Sequence, residues 1–159
     1  MIELIAVIVV IGILGATVLL QANAVNQRDV INQADILRRN LRHIQSIALT
    51  YGLALRLNVA STNYSVSCLT IASGTPCTTL GGLVIDPAVN QVFSVTLPSG
   101  VTLAAAASTN TIDFDSAGRP TASANLIATN PAQTFSLSAT GITSTVTLRP
   151  ITGFVEGAY

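Results

Sequence analysis

The first twenty residues form an almost uninterrupted apolar run, which is broken near its start by the carboxylate of Glu3. At about 1.5 Å rise per residue, a helix of this length is roughly 30 Å long, which matches the hydrocarbon thickness of a bilayer. A carboxylate at mid-membrane depth costs on the order of 2.5–3.5 kcal/mol, so it indicates a functional partner. The run therefore predicts a membrane-spanning helix in which Glu3 meets a cation from elsewhere.

Two other interpretations of this run remain open. The apolar core of a cleaved secretion signal usually has about 7–15 residues and follows a basic stretch, whereas this run is longer and has no Lys or Arg before it. A plain membrane anchor would place Glu3 incidentally near the headgroups. Neither interpretation accounts for both the acid and the amphipathic continuation of the helix.

Beyond Leu20 the apolar positions follow a helical stripe. Seven residues recur at alternating steps of four and three, namely Val30, Ala34, Leu37, Leu41, Ile44, Ala48 and Tyr51. This spacing places them on one face of a helix. Pro is absent before Pro76, and Gly52 is placed to end the helix. We predict one helix of roughly 75 Å from Met1 to about Tyr51, whose stripe packs on the rest of the chain; a coiled-coil dimer seam fits the same spacing.

From Leu53 the apolar period shortens to two, which is typical of half-buried strands. One hairpin is predicted from the alternation of Leu53, Leu55, Leu57 and Val59, followed by that of Tyr64, Val66 and Cys68. Further candidate strands lie at 80–85, 91–97, 111–115, 134–138 and 144–149. The patterns together predict an α+β fold, with a long N-terminal α-helix packed on an antiparallel β-sheet domain. Its parts are the apolar half of the helix (1–25), the amphipathic half (26–52) and a β-rich globular head (53–159).

The composition indicates a protein that associates with others. Charged residues make up 9% of the chain and the formal net charge is zero, whereas soluble domains average about 25% charged residues. A net charge near zero favours association. All seven basic residues are Arg, and the head has no basic run. We therefore expect no nucleic-acid partner, although Arg38, Arg39 and Arg42 are close enough together to contact phosphates.

The sequence lacks the residue combinations that catalysis or metal binding would need. His43, in the predicted helix, is the single histidine, and the sequence contains neither a Gly-x-Ser-x-Gly turn nor a phosphate-binding glycine loop. Asp113 and Asp115 alternate along one predicted strand and offer carboxylates to a cation, but residues 115–118 are first of all typical of a β-turn. We expect no enzyme activity, no cofactor and no metal site.

The N-terminal sequence carries a resemblance to a known family. Residues 1–16, MIELIAVIVVIGILGA, resemble the start of type IV pilins and of the pseudopilins of type II secretion. In that family a basic leader is removed after a Gly, and the mature chain begins with an N-methylated Phe and carries Glu at its fifth position. The match of Glu3 to that Glu implies that two mature residues, Phe and Thr, precede Met1.

A second resemblance lies in the head. The helix that leads directly into the Leu-rich hairpin, the segment FDSAGRP at 114–120 and the segment TVTLRPITG at 145–153 are similar to those of H-type pseudopilins and fimbrial T minor pilins. Mannose-sensitive-haemagglutinin minor pilins are similar as well. The implied architecture is the pilin fold.

The resemblance also implies how the chain assembles. The subunit is expected in the bacterial inner membrane before assembly and in a cell-surface filament of identical subunits afterwards, with a prepilin peptidase and the pilus assembly machinery as partners. Glu3 is expected to meet the N-terminal amine of an adjacent subunit. Gly12 and Gly15 each weaken the helix by roughly 1 kcal/mol relative to Ala. Many pilins have a Pro where this chain has Leu20, so only a mild irregularity is expected over 12–17 in the filament.

Cys68 and Cys77 are the two cysteines of the chain and are separated by a short, turn-prone loop. In an exported protein this arrangement favours a disulfide bond, which stabilises by about 2–3 kcal/mol through loop restriction. A metal site would need further ligands.

Three classes of function follow. The chain is a principal pilus subunit that serves adhesion, motility or surface contact; or a minor pilin or pseudopilin of a type II secretion or pilus-priming fibre; or a membrane-anchored β domain that binds a ligand without polymerising. The abundance of the chain in sheared surface fibres separates the first two.

Overall fold

The structure is a computed structural model that describes residues 2–105, 110–121 and 132–158; within its helix it describes the side chains of residues 3, 7–12 and 27–51. Helix α1 covers Ile2–Tyr51, and no Pro interrupts its hydrogen bonds. Gly52 follows with a left-handed φ of 64°. The Leu53 amide then donates to the carbonyl oxygen of Ala48 over 3.0 Å, which is the bond of a Schellman motif. The helix thus ends where the sequence predicts.

Eleven strands follow the helix within the described residues. They are β1 (Leu55–Val59), β2 (Asn63–Cys68), β3 (Ile85–Asp86), β4 (Gln91–Val92), β5 (Ser94–Thr96), β6 (Thr102–Ala105), β7 (Thr111–Phe114), β8 (Pro120–Thr121), β9 (Gln133–Ala139), β10 (Ile142–Leu148) and β11 (Val155–Ala158). One sheet has the order β5-β2-β1-β7-β8 and a second has the order β11-β10-β9-β6, while β3 and β4 form a separate hairpin. All the strand pairs are antiparallel.

The core lies between the helix and both sheets. Helix α1 packs against β9, β10 and β11, and its buried stripe shares one apolar cluster with residues of both sheets, such as Leu57 and Phe114 from the first and Phe135 and Val146 from the second. In β1 the residues Leu55, Leu57 and Val59 face this core and Arg56 and Asn58 alternate with them on the other face. This arrangement confirms the predicted α+β class, with a helix packed on antiparallel sheets.

Parts of the sequence-based assignment are wrong. Of the strand predicted at 80–85 only Ile85 belongs to a strand, because Gly81 has a left-handed φ of 73° and the Gly82 amide donates to the Thr79 carbonyl in a turn. The strand predicted at 91–97 is divided into β4 and β5 at Phe93. Strands β6, β8 and β11 were not predicted.

The membrane-spanning character of the N-terminal half is not confirmed. Within 2–105, 110–121 and 132–158, no helix is long and apolar enough to cross a membrane. The span predicted over 1–20 falls largely on residues whose side chains are outside the described set, so it stays a prediction.

Candidate assembly interface

The second half of α1 joins the head through its apolar stripe. Six of the seven stripe residues are fully buried, namely Val30, Ala34, Leu37, Leu41, Ile44 and Ala48. At about 25 cal/mol per Å² of apolar surface, each Leu or Ile among them contributes roughly 1.5–3 kcal/mol by leaving water. The joint between helix and head is therefore a continuous part of the hydrophobic core.

The seventh stripe residue, Tyr51, does not pack on the head. Its side chain is 36% exposed, because the helix ends at this residue and the chain reverses at Gly52. Leu53, which is 2% exposed, takes the interior position at the helix end instead. Ile47 is also buried, although the four-three spacing omitted it.

Polar contacts fix one flank of the helix to the head. The Asn40 side-chain amide donates to the hydroxyl oxygen of Tyr64 over 2.7 Å. Burial raises the pKa of Tyr64 to about 12, and the bond from Asn40 opposes this rise. One turn further, the Nε2 atom of His43 lies 2.9 Å from Oδ1 of Asp86, and its ring stacks on Phe93 at a centroid distance of 5.9 Å. This flank therefore binds β2 and the β3–β4 hairpin.

The other flank of the helix binds two turns. The Gln45 side-chain amide donates to the Gly153 carbonyl over 2.7 Å, and Arg42 donates to the Val155 carbonyl over 3.1 Å. A Cβ atom at Gly118 would lie 2.8 Å from the Gln45 carbonyl oxygen, so only glycine fits this approach. The two head segments that carry the resemblance, 114–120 and 145–153, thus meet the helix at Gln45.

The β7–β8 turn is built around Asp115. Its Oδ1 atom accepts hydrogen bonds from the amides of Ala117 at 3.0 Å and Arg119 at 2.8 Å, while the Arg119 guanidinium reaches Oδ2 at 2.7 Å. Burial raises the pKa of the Asp115 carboxyl, but the bonds from Arg119 and Ala117 outweigh burial and hold the pKa below its usual value. The carboxylate therefore serves the turn.

Asp113 is engaged across the sheet. It is buried, and Nε and a terminal nitrogen of Arg56 bind its two oxygens at 2.7 and 2.9 Å. The side-chain bond to Asp113 raises the pKa of Arg56. Among the described residues, no group of three His, Cys, Asp or Glu side chains lies close enough together to hold a metal ion. The structure thus gives Asp113 and Asp115 structural roles.

The predicted disulfide between Cys68 and Cys77 is confirmed, with a Cα–Cα distance of 5.7 Å. It closes the loop that follows β2. The loop joins the β3–β4 hairpin through the amide of Ile85, which donates to the carbonyl of Pro76 over 3.1 Å. The bridge therefore fixes the base of that hairpin as well as the end of β2.

Every charged side chain of the head binds a side chain within the subunit. Seven charged residues follow Gly52 in the sequence; six of them form three ion pairs with each other, and Asp86 binds the ring of His43. The pairs are Arg56 with Asp113, Arg119 with Asp115, Arg149 with Glu156, and Asp86 with His43 of the helix. The outer surface of the head is therefore dominated by neutral groups.

Several residues of the joint were missed by sequence reasoning. Asn40, Gln45 and Asp86 each make a long-range contact, yet they are ordinary polar residues off the apolar pattern. The one signal of this joint in the sequence was Gly118, which lies in a short turn segment. The partners of Asn40, Gln45 and Asp86 depend on how the two sheets fold around the helix, and local spacing does not encode this.

Comparison with solved structures identifies this arrangement. The chain is similar to the minor pseudopilin EpsH of the Vibrio cholerae type II secretion system, with 14% identity and a TM-score of 0.55, over 82% of this chain and 96% of that one. It is also similar to the type IV minor pilin FimU of Pseudomonas aeruginosa, with 12% identity and a TM-score of 0.57, over 84% of this chain and 90% of that one.

The chain has the pilin fold. This is the fold that the resemblance of the N-terminal sequence implies. No protein-family model matches the chain, and comparison with curated proteins found no match either. The likeness therefore lies in the fold, at a level of identity where sequence similarity is faint.

The remaining residues that the sequence predicts to act in assembly lie in the N-terminal half of α1. Glu3 is exposed and forms no ion pair with any other described side chain. The five consecutive residues from Val7 to Ile11 are each more than half exposed. A Cβ atom at Gly12 would meet nothing within 4 Å. The environment of Gly15 lies outside what the structure describes. The mild irregularity predicted over residues 12–17 of the helix in the filament stays a prediction.

Proposed function

We propose that the chain is a structural subunit of a type IV pilus-like helical filament. It is held in the inner membrane by the N-terminal half of α1 and polymerises through the same surface when it leaves the membrane. The observation that carries this proposal is the exposure of Val7 to Ile11 on a helix whose second half buries its apolar stripe in the head. A continuous apolar surface of this kind needs lipid or protein around it.

Bundling of helices is the arrangement that covers this surface outside a bilayer. A helix rich in β-branched residues is a poor solitary helix in water, so copies from neighbouring subunits provide its partners. A contact between different surfaces of identical subunits does not close on itself, and repetition of that contact yields a helical fibre. The filament then serves adhesion, motility or surface contact.

Glu3 sets the axial register of the bundle in this proposal. Burial of its carboxylate in an apolar core is tolerable only beside a cation, and the N-terminal amine of an adjacent mature subunit is the cation that the resemblance supplies. The subunit itself catalyses no reaction. The ion-paired charges of the head support this role, since a neutral exterior allows close packing.

The test is the Glu3→Val variant in the cell that assembles the protein. Removal of the carboxylate makes membrane insertion easier and abolishes the register contact, so the variant should reach normal levels in the inner membrane while few or misregistered fibres form. Fibres are measured by shearing and negative-stain electron microscopy. Asp29→Asn is the matched control, because it removes a carboxylate of the same helix outside the apolar run and should leave the fibres unchanged. Normal fibre yield and packing from Glu3→Val would refute the proposal.

A minor subunit of a short fibre is the second candidate. Both proteins described above as similar are minor components of their systems, and this chain has their fold. The abundance of the subunit distinguishes the two candidates. A dominant band near the chain mass of 16.4 kDa in sheared fibres indicates a principal subunit, whereas a trace band indicates a minor pilin or pseudopilin.

A further inference from the structure

The β3–β4 hairpin exposes an apolar surface on the head. Ile85 and Val92 are directly opposite each other in the register of the two strands, and Val89 lies in the turn between them. These three residues, which we call the hairpin patch, are between 39% and 62% exposed. Exposed Leu80 and Leu83 precede them in the chain. Apolar groups collected in this way mark an interaction surface more often than scattered ones do.

The hairpin patch is held in a fixed position. Asp86 accepts the amide of Ala88 on Oδ1 at 2.9 Å and the amide of Asn90 on its carbonyl at 2.7 Å, which shapes the turn. Its Oδ1 also contacts His43 of the helix. Asp86 is the one charged residue between positions 57 and 112, and it is 15% exposed in its pair with His43. The patch is therefore both anchored and free of unpaired charge.

A second apolar surface lies in the turn between β10 and β11. Ile151 is 62% exposed and Phe154 is 56% exposed; we call this pair the 151–154 turn. Ile151 has a φ of 66°, a left-handed conformation that is strained for a β-branched residue. Strained residues persist where the surrounding structure holds them and concentrate at functional sites. The sequence thus keeps an exposed isoleucine at a position where Gly or Asn would be less costly.

The two surfaces lie on opposite flanks of the helix. His43 binds the hairpin and Gln45 binds Gly153 in the 151–154 turn. These helix residues are two positions apart, which corresponds to a rotation of about 200° around the helix axis. A single subunit cannot bring its own hairpin patch onto its own 151–154 turn. If one surface covers the other, the two must therefore come from different copies of the chain.

We propose that the hairpin patch of one subunit docks on the 151–154 turn of a second copy of this chain. The contact is heterologous, so every subunit uses one surface on each side and the head layer continues without closing. Both surfaces are apolar, and the charged groups beside them already have partners within the subunit: Asp86 binds the ring of His43, and Arg149 forms an ion pair with Glu156. This inference rests on the proposed filament and assigns the contacts between its heads.

The contact is tested by cysteine cross-linking in the assembling cell. Ala88→Cys and Thr152→Cys place thiols at exposed positions beside the two surfaces and keep Ile85, Val89 and Phe154 intact. A chain with both changes, treated with a short bis-maleimide in sheared filaments, should give a ladder of dimers, trimers and larger products. Each single variant should give none. The pair Ala88→Cys and Ala60→Cys is the control, because Ala60 is exposed outside both surfaces, and should give no ladder.

A charge substitution gives an independent measurement. Val89→Asp places a charge in the hairpin patch and should lower filament yield about tenfold or more, which corresponds to about 1.4 kcal/mol per contact, with the subunit at its normal level in the membrane. Ala60→Asp should leave the yield unchanged.

Each outcome of these experiments supports or overturns the proposed contact between heads. Dimers from Ala88→Cys without Thr152→Cys would show an isologous contact and overturn the inference. Filaments from the doubly substituted chain that give no ladder, or normal filament yield from Val89→Asp, would overturn it while the proposed filament stands. If the wild-type chain forms no filaments, the proposed function fails and the inference fails with it.

Discussion

The two halves of α1 are one continuous helix in two different environments. In the first half, the residues from Val7 to Ile11 are exposed. In the second half, every residue of the stripe from Val30 to Ala48 is fully buried. The same kind of side chain thus stabilises the head at one end of the helix and remains uncovered at the other. The difference teaches that the folded subunit covers the apolar stripe of the second half and leaves Val7 to Ile11 exposed to the surroundings.

The largest expected effect separates the halves directly. We predict that a chain without residues 1–25 folds as a monomer, and that Leu41→Ala in this fragment lowers the free energy of unfolding by about 2–5 kcal/mol, because Leu41 is fully buried. Urea unfolding followed by circular dichroism measures the change.

The matched control for this prediction is Leu49→Ala. Leu49 lies on the same helix half and is 64% exposed, so its truncation should change stability by about 0.5 kcal/mol or less. A fragment that aggregates, or equal losses from the two variants, would contradict the division of the helix.

The next effect concerns the disulfide, which acts on the head and not on the N-terminal half. Replacement of both Cys68 and Cys77 by Ser should lower the free energy of unfolding by about 2–3 kcal/mol, measured by thermal unfolding. The bundle of N-terminal helices should keep its geometry in filaments of the variant. Free thiols detected in the native, unreduced protein would count against the bridge.

An alkaline effect tests the polar contacts of the buried half. Burial raises the pKa of Tyr64 to about 12, whereas an unfolded tyrosine titrates near 10. The unfolded state therefore loses its proton first. Stability should be fully present below about pH 10 and fall by up to about 1.4 kcal/mol per pH unit between about 10 and 12.

Tyr64→Phe is the control for the alkaline effect, since it keeps the ring and removes the ionisable hydroxyl. Its unfolding free energy should lack this decrease over the same pH range. A tyrosine absorbance titration near pH 10 for the buried side chain in the folded fragment would show the prediction to be wrong.

The smallest effect lies in acid. The hydrogen bonds from Arg119 and Ala117 hold the pKa of the Asp115 carboxyl below its ordinary value in spite of burial. Its stabilising contribution is therefore present above the unfolded pKa, near 3.9, and is lost as the pH falls through the folded pKa. Asp115→Asn should weaken the acid dependence of unfolding below about pH 4. An unchanged acid profile in the variant would contradict this role.

The sequence predicted the fold where a pattern is local and periodic. The four-three spacing located the buried stripe because a helix repeats its faces every 3.6 residues, and it misplaced only Tyr51 at the helix end, where the chain turns away. The β1–β2 hairpin followed from strict alternation. The strand at 80–85 was wrong because apolar residues beside Gly81 and Gly82 resemble a strand in composition but form a turn.

The candidate site was less accessible from sequence. The N-terminal segment indicated assembly through its apolar run and Glu3. The helix–head joint, by contrast, depends on Gln45 and on the glycines at 118 and 153, which meet only after two sheets have folded around the helix. The apolar hairpin patch was hidden for a related reason. Ile85 and Val92 look like core residues in the sequence, and only the pairing of β3 with β4 reveals that they face outward.

The bond between the Ile85 amide and the Pro76 carbonyl has a consequence for timing. It couples the hairpin to the loop that the Cys68–Cys77 bridge closes, and such bridges form in oxidising compartments and not in the cytosol. A chain in which the bridge has not yet formed lacks this covalent brace of the hairpin. If the chain is exported as we propose, the brace forms only after the chain has left the cytoplasm, so polymerisation through the hairpin patch is disfavoured before export.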